Sequence, residues 1–116
     1  MRTPEIELLW WAGCPSTERA LAELRHAMND TGLGTATVTV TEIATDEEAR
    51  TIGYAGSPTI LIDGVDVAPP EDGLEVGLSC RVYRRRDGRV SPTPDPEDLR
   101  DALRRALAPS PTEVNR

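Results

Sequence analysis

Lysine is missing from this chain. All 13 basic residues are arginine, and against 20 Asp and Glu they leave a formal net charge of −7. That balance excludes a general nucleic-acid binder, which needs a basic face to displace the counterions around phosphates. Arginine without lysine, beside abundant Ala, Gly and Pro, is the mark of GC-rich coding and says nothing about function. Cysteine is nearly absent too, with only Cys14 and Cys80. Two distant thiols exclude the framework of a small disulfide-rich scaffold and read as free thiols or as a functional pair. There is no apolar stretch of signal or membrane-spanning length, so the expectation is a cytoplasmic chain with no membrane contact. No repeat and no low-complexity tract appears. At 116 residues the chain is long enough for one domain with its own core. That domain is expected over 1–108, followed by a flexible polar tail at 109–116.

Glu5 to Trp11 is a nearly continuous apolar run, the pattern of a strand covered on both faces. From Ser16 to Asn29 the positions Ala20, Leu21, Leu24, Ala27 and Met28 recur at three and four residues, which is one face of a helix. Pro15 suits its first turn, and Gly32 is available for a left-handed stop. Ala36 to Thr41 alternates small apolar residues with Thr as a second strand. A short helix follows from Thr45 to Arg50, with a capping residue and acidic groups at its start. Thr59 to Ile62 reads as a third strand, and Asp63-Gly64 turns it into a fourth at Val65 to Val67. Residues 68–93 are expected to form an inserted loop and hairpin, with a strand at Cys80 to Arg84 and a turn at Asp87-Gly88. Asp95-Pro96-Glu97-Asp98 starts the last helix, whose buried face is Leu99, Ala102, Leu103, Ala106 and Leu107.

The strand at Ile6 to Trp11 runs into Gly13-Cys14-Pro15, where the first helix begins. A thiol at that junction faces unpaired backbone N–H groups and the positive end of the helix dipole, both of which favour the thiolate. Cys14 is therefore the candidate nucleophile, with Gly13 leaving room for a partner. The alternative is a buried, inert cysteine. His26, in mid-helix, reads as a solvated or packing side chain. Asp63 and Asp66 read as turn residues. Arg81, Arg84, Arg85, Arg86 and Arg89 form a local basic patch, either a solvated hairpin edge or an anion contact. Trp10 and Trp11 are expected to divide between packing the core and shielding the thiol.

Trp11-Ala12-Gly13-Cys14-Pro15 opening a helix, Gly56-Ser57-Pro58-Thr59 entering the third strand, and a closing helix after Asp63-Gly64 together resemble the thioredoxin-like superfamily, in particular its small glutaredoxin-type members. The resemblance covers roughly residues 5–67 and 95–108. It implies an α/β, three-layer βαβαββα fold with the insertion before the last helix. It also implies that Pro58 is cis and faces the reactive Cys14, with Ser57 pairing its backbone with an extended substrate. The departure is at Thr17, which stands where redox-active members carry the second cysteine of Cys-x-x-Cys. Dithiol exchange between positions 14 and 17 is thus impossible.

Three functions follow as expectations. The first is a thiol–disulfide oxidoreductase with Cys14 as nucleophile, resolved by Cys80 or by an external thiol. In it Trp11, Pro15, Thr17, Ser57 and Pro58 line the substrate site. The partner is a protein or a low-molecular-weight thiol or disulfide, and no cofactor or resident metal is expected. The second is capture of a soft metal or an organomercurial by Cys14 and Cys80 together. The third is a redox-inactive adaptor on the same fold. For Cys80 itself, a strand cysteine filling a core gap stands beside the functional readings.

Overall fold

The apolar run at the start of the chain becomes an inner strand of a mixed sheet. A computed structural model describes residues 3–54, 56–68, 78 and 81–107. In it β1 (Ile6–Trp10) is followed by α1 (Thr17–Asp30), β2 (Val38–Glu42), α2 (Asp46–Ile52), β3 (Thr59–Ile62) and β4 (Val65–Asp66). Then come β5 (Tyr83–Arg84), β6 (Val90–Ser91) and α3 (Pro96–Leu107). Four strands pair in the order β2-β1-β3-β4, while β5 and β6 pair only with each other. β1 is parallel to β2 and antiparallel to β3, which puts Leu8 opposite both Val40 and Ile60. The expected order of elements is met, with boundaries shifted by one or two residues. The expected tail at 109–116 lies outside the described residues, as do Cys80 and most of the inserted loop.

Alternation along β1 divides the core in two. Ile6 and Leu8 join Ile60 and Ile62 beneath α1 and α3, through Ala20, Leu24, Met28, Leu99 and Leu103. Leu8, Leu24, Ile60, Leu99 and Leu103 are fully buried, each stabilising the fold by about 1.5–3 kcal/mol. Leu9 points the other way, to Ile43, Ala49 of α2 and Tyr54. Trp10 packs against the first cluster, as expected of one of the two tryptophans. Helices thus cover both faces of the sheet, and none among the described residues is long and apolar enough to cross a membrane.

Local chemistry sets the ends of these elements. α1 closes with Gly32 at φ +81° and the Leu33 N–H on the Met28 carbonyl, 2.7 Å away. Thr45 caps α2 by accepting the Glu48 N–H at 3.1 Å. Asp63 and Gly64, at φ +53° and +80°, make the tight turn between β3 and β4. In the insertion, Tyr83 pairs with Ser91 and Arg84 with Val90, so the hairpin about Asp87-Gly88 is present. Its first strand is shorter than expected, beginning at Tyr83.

Asp95 joins that hairpin to α3. One carboxylate oxygen accepts the Glu97 N–H at 2.9 Å as a helix cap, and the other accepts the Arg86 N–H of the hairpin at 2.9 Å. The Arg86 side chain then reaches Asp98 and Asp101 on α3, at 2.8 and 2.7 Å. The Arg86 N–H, and after it that of Glu97, hold the Asp95 carboxyl below its ordinary value of 3.8. A carboxylate whose folded value is depressed stabilises the fold above the unfolded value, and loses that contribution as pH falls through the folded one. Asp95→Ala is therefore expected to cost about 1 kcal/mol at neutral pH. Asp95→Asn keeps one accepting oxygen but turns an amide NH2 toward the other backbone N–H, so it is expected to cost a similar amount, about 1 kcal/mol, at neutral pH and to flatten the loss of stability below about pH 4. Urea denaturation between pH 3 and 7, in roughly unit steps, measures both.

Candidate functional site

The sequence-selected residues Trp11, Cys14, Ser57 and Pro58 meet where the end of β1 passes the start of β3. The Ser57–Pro58 peptide is cis, as the resemblance implies. Ser57 is fully buried and is used at both ends. Its hydroxyl accepts the Trp11 N–H at 3.0 Å, and its carbonyl oxygen accepts the Cys14 thiol at 3.4 Å. Cys14 is itself 7% exposed. Its N–H closes a turn onto the Trp11 carbonyl at 3.0 Å.

Several details differ from expectation. Because that turn uses up the residues after β1, α1 begins only at Thr17, with Ser16 as its N-cap and the first helical bond from the Ala20 N–H to the Ser16 carbonyl. Pro15 is thus exposed and stands before the N-cap, outside the first helical turn. Cys14 likewise lies upstream of the N-cap, and its hydrogen bond runs outward from the thiol to a carbonyl. Gly13 does not leave a free space. A β-carbon there would come within 2.5 Å of the Trp11 indole, which lies over it. Trp11 therefore covers the approach to the turn that carries Cys14. The Thr17 hydroxyl is shielded from solvent and has no hydrogen-bond partner among the described residues. Cys80 lies outside the described residues.

The largest correction concerns Arg81. Its side chain is 3% exposed and faces the interior, so it belongs to no surface patch. The guanidinium donates to Asp66 at 2.7 Å, to the Thr59 hydroxyl at 3.2 Å and to the Ala68 carbonyl. It also lies 4.4 Å from the centre of the Tyr83 ring. Asp66, expected only to turn the chain, is the counter-charge that makes this burial affordable. Thr59 passes the chain of hydrogen bonds on to the Gly56 carbonyl at 2.7 Å, and the Tyr83 hydroxyl donates to the Pro58 carbonyl. Burial raises the Tyr83 phenol well above its ordinary range, outweighing the nearby Arg81 cation, so it remains a neutral donor.

The Arg81 backbone completes the arrangement. Its N–H donates at 2.8 Å to the Ser57 carbonyl, the same oxygen that takes the Cys14 thiol. This approach is possible because residue 56 is Gly at φ +130°, where a β-carbon would stand 3.1 Å from the Arg81 β-carbon. The other arginines of the hairpin do not act as one patch either. Arg85 reaches Glu23 of α1 at 3.7 Å, and Arg86 is held on α3. His26 is solvated as expected, 3.6 Å from Asp30.

Arg81, Tyr83, Asp66 and Gly56 were not selected as site residues from the sequence. The available signal was the two-residue period of Arg81-Val82-Tyr83-Arg84: with Tyr83 inward, Arg81 points inward as well and Val82 outward. Among the described residues no group of three or more His, Cys, Asp and Glu is placed to hold a metal ion. Comparison of the chain with protein-family models, with curated proteins and with solved structures finds no match.

Arg81→Ala strips Asp66 of its counter-charge, leaving it only the Ala68 N–H, and takes from the Thr59 hydroxyl the guanidinium that donates to it. The expected loss is about 3–5 kcal/mol, a large part of the stability of a domain this size. Arg81→Lys recovers little of it, since one ammonium cannot serve three acceptors spread across a planar fork. Gly56→Ala is expected to cost more than about 1 kcal/mol, through both its φ and the contact with Arg81. Chemical denaturation of the three variants measures these losses.

Proposed function

We propose that the chain is a thioredoxin-like thiol–disulfide oxidoreductase that uses Cys14 as its nucleophile. The sheet order β2-β1-β3-β4, with a helix opening after β1 and a cis proline entering β3, supports the fold part of this reading. One observation carries the chemistry: the Ser57 carbonyl oxygen accepts both the Cys14 thiol and the N–H of Arg81. Arg81 is the residue directly after Cys80. Cys80 itself lies outside the described residues, and its place in the chain beside Arg81 is what supports it as the resolving thiol.

In the first step the Cys14 thiolate attacks one sulfur of a disulfide R–S–S–R′, forming the mixed disulfide Cys14–S–S–R and releasing R′–S⁻. The Cys80 thiolate then attacks the Cys14 sulfur, forming Cys14–S–S–Cys80 and releasing R–S⁻. The substrate gains two electrons and the cysteine pair loses them. An external thiol returns the pair to the dithiol form. With Cys14 only 7% exposed and Trp11 over Gly13, small disulfides suit the site better than a bulky protein partner. The same burial favours a second reading, a redox-inactive adaptor in which Cys14 only fills space.

Reaction of the folded protein with a small aromatic disulfide, followed by intact mass, separates the two. The wild type is expected to release two equivalents of aromatic thiol and to end two hydrogens lighter. Cys80→Ser is expected to release one equivalent and to retain the aromatic adduct on Cys14, located by peptide mapping. A Cys14 that stays unmodified while the protein is folded excludes the oxidoreductase and leaves the adaptor. An adduct on Cys14 of the wild type that is never resolved removes Cys80 from the mechanism.

A further inference from the structure

β2 is the outer strand of the four-stranded sheet, and among the described residues nothing pairs with its outer edge. The Ile43 N–H donates to the Trp10 carbonyl at 2.7 Å, so the odd-numbered backbone groups of this stretch turn toward β1. The N–H and C=O of Val38, Val40 and Glu42 therefore point away from the sheet. From Thr39 to Glu42 every side chain is exposed, including Val40 at 44%. The strand carries none of the devices that keep such an edge single. It has no proline, no bulge and no cation, and its one charge is Glu42 at its end.

The edge is also complementary to itself. Thr37-Val38-Thr39-Val40-Thr41 reads the same in both directions. Antiparallel strands run in opposite directions, so a two-fold axis through Thr39 sets Val38 of each copy against Val40 of the other, and Thr37 against Thr41. Val38 and Val40 are the residues with outward backbone groups, so each such pair exchanges two hydrogen bonds. The facing side chains are then Val with Val and Thr with Thr, on matching faces of one continuous sheet.

Charge fits the same register. Val38 stands beside Ile6 and Val40 beside Leu8, so both of them and Glu42 lie on the face of the sheet that α1 covers. A cleft of about 320 Å³ on that face is lined by Arg25 and Met28 of α1 with Ala36 and Val38. Arg25 is exposed and makes no ion pair among the described residues, and neither does Glu42. With the axis at Thr39, Glu42 of each copy arrives beside residue 36 of the other, at the mouth of that cleft. Arg25 and Glu42 then form two symmetric pairs across the junction.

We infer that β2 is a self-association edge, and that two copies of this chain join antiparallel about Thr39 into one eight-stranded sheet, clasped by Arg25 and Glu42. An unrelated extended peptide could use the same backbone edge, but it needs neither the palindrome nor the reciprocal charges. The two-fold axis leaves Cys14 of each copy in its own site.

Sedimentation of the full chain over a range of concentrations tests this. The wild type is expected to sediment as a dimer that weakens with added salt. Val40→Pro removes only an outward N–H, which an edge strand tolerates. It is expected to sediment as a monomer with an unchanged circular dichroism spectrum. Arg25→Glu and Glu42→Arg are each expected to weaken the dimer roughly tenfold. The double exchange, which restores opposite charges across the axis, is expected to recover it. A wild type that is monomeric at every concentration overturns the inference, as does a dimer that survives Val40→Pro. A dimer indifferent to both charge reversals overturns the register about Thr39 and the inference with it. Should Val40→Pro fail to fold, the charge exchange decides alone.

Discussion

The carbonyl oxygen of Ser57 lies buried between two donors, the Cys14 thiol and the Arg81 N–H, and much of the surrounding structure exists to keep that arrangement in place. A buried carbonyl without a donor costs as much as a lost hydrogen bond or more, so this oxygen constrains both segments that reach it. From the β1 side, the turn from Trp11 to Cys14 brings the thiol in, fastened by the Ser57 hydroxyl on the Trp11 N–H. From the insertion side, Gly56 supplies the gap into which the Arg81 backbone fits.

Arg81 is held in that gap by its own side chain. A guanidinium taken out of water is tolerated only where its donors are met, and here a carboxylate, a hydroxyl, a carbonyl and an aromatic face share the task. The acceptors come from β3, β4 and the chain just after β4. The ion pair therefore fastens the insertion to the far half of the sheet, behind the cis Ser57–Pro58 peptide. Tyr83 adds a second tie through the Pro58 carbonyl. Of the hairpin's other arginines, Arg85 reaches α1 and Arg86 is held on α3, while Arg84 and Arg89 bond within the hairpin itself, to the Gly88 carbonyl and to Asp87. A cluster that reads as one basic patch in sequence is thus spread over three separate tasks.

How far the sequence could be read depended on whether each signal was local. α1, α2 and α3 are written in their periodic apolar positions and caps. Gly32, Thr45, Asp63-Gly64 and Asp95 act at the ends where their chemistry belongs, since a cap or turn needs only a few neighbouring residues. Ser57 and Cys14 could be paired only through the resemblance, which implies that the turn at Pro58 faces the thiol. For Arg81 the two-residue period shared with Tyr83 marks an inward direction, but its partners Asp66, Thr59 and Ala68 are distant in the chain and no local pattern names them. The space beside Gly13 was misread for the same reason: glycine looks open until the Trp11 indole is placed over it. Pro15 was misplaced by a small margin, because the Trp11 to Cys14 turn delays the start of the helix.

The amino-acid order alone determined the α/β class, the succession of strands and helices, the nomination of Cys14 and the absence of a second thiol at position 17. These rest on periodicity, on turn residues and on residue identity, which need no knowledge of the third dimension. Tertiary structure decided that Cys14 is buried and bonded to a carbonyl, that Arg81 and Asp66 are an interior pair, and that the palindrome in β2 falls on an open edge. Each depends on which distant segments share a low-dielectric interior or are left facing water. That sharing is set by packing the whole sheet against its helices, and no single stretch of sequence contains it.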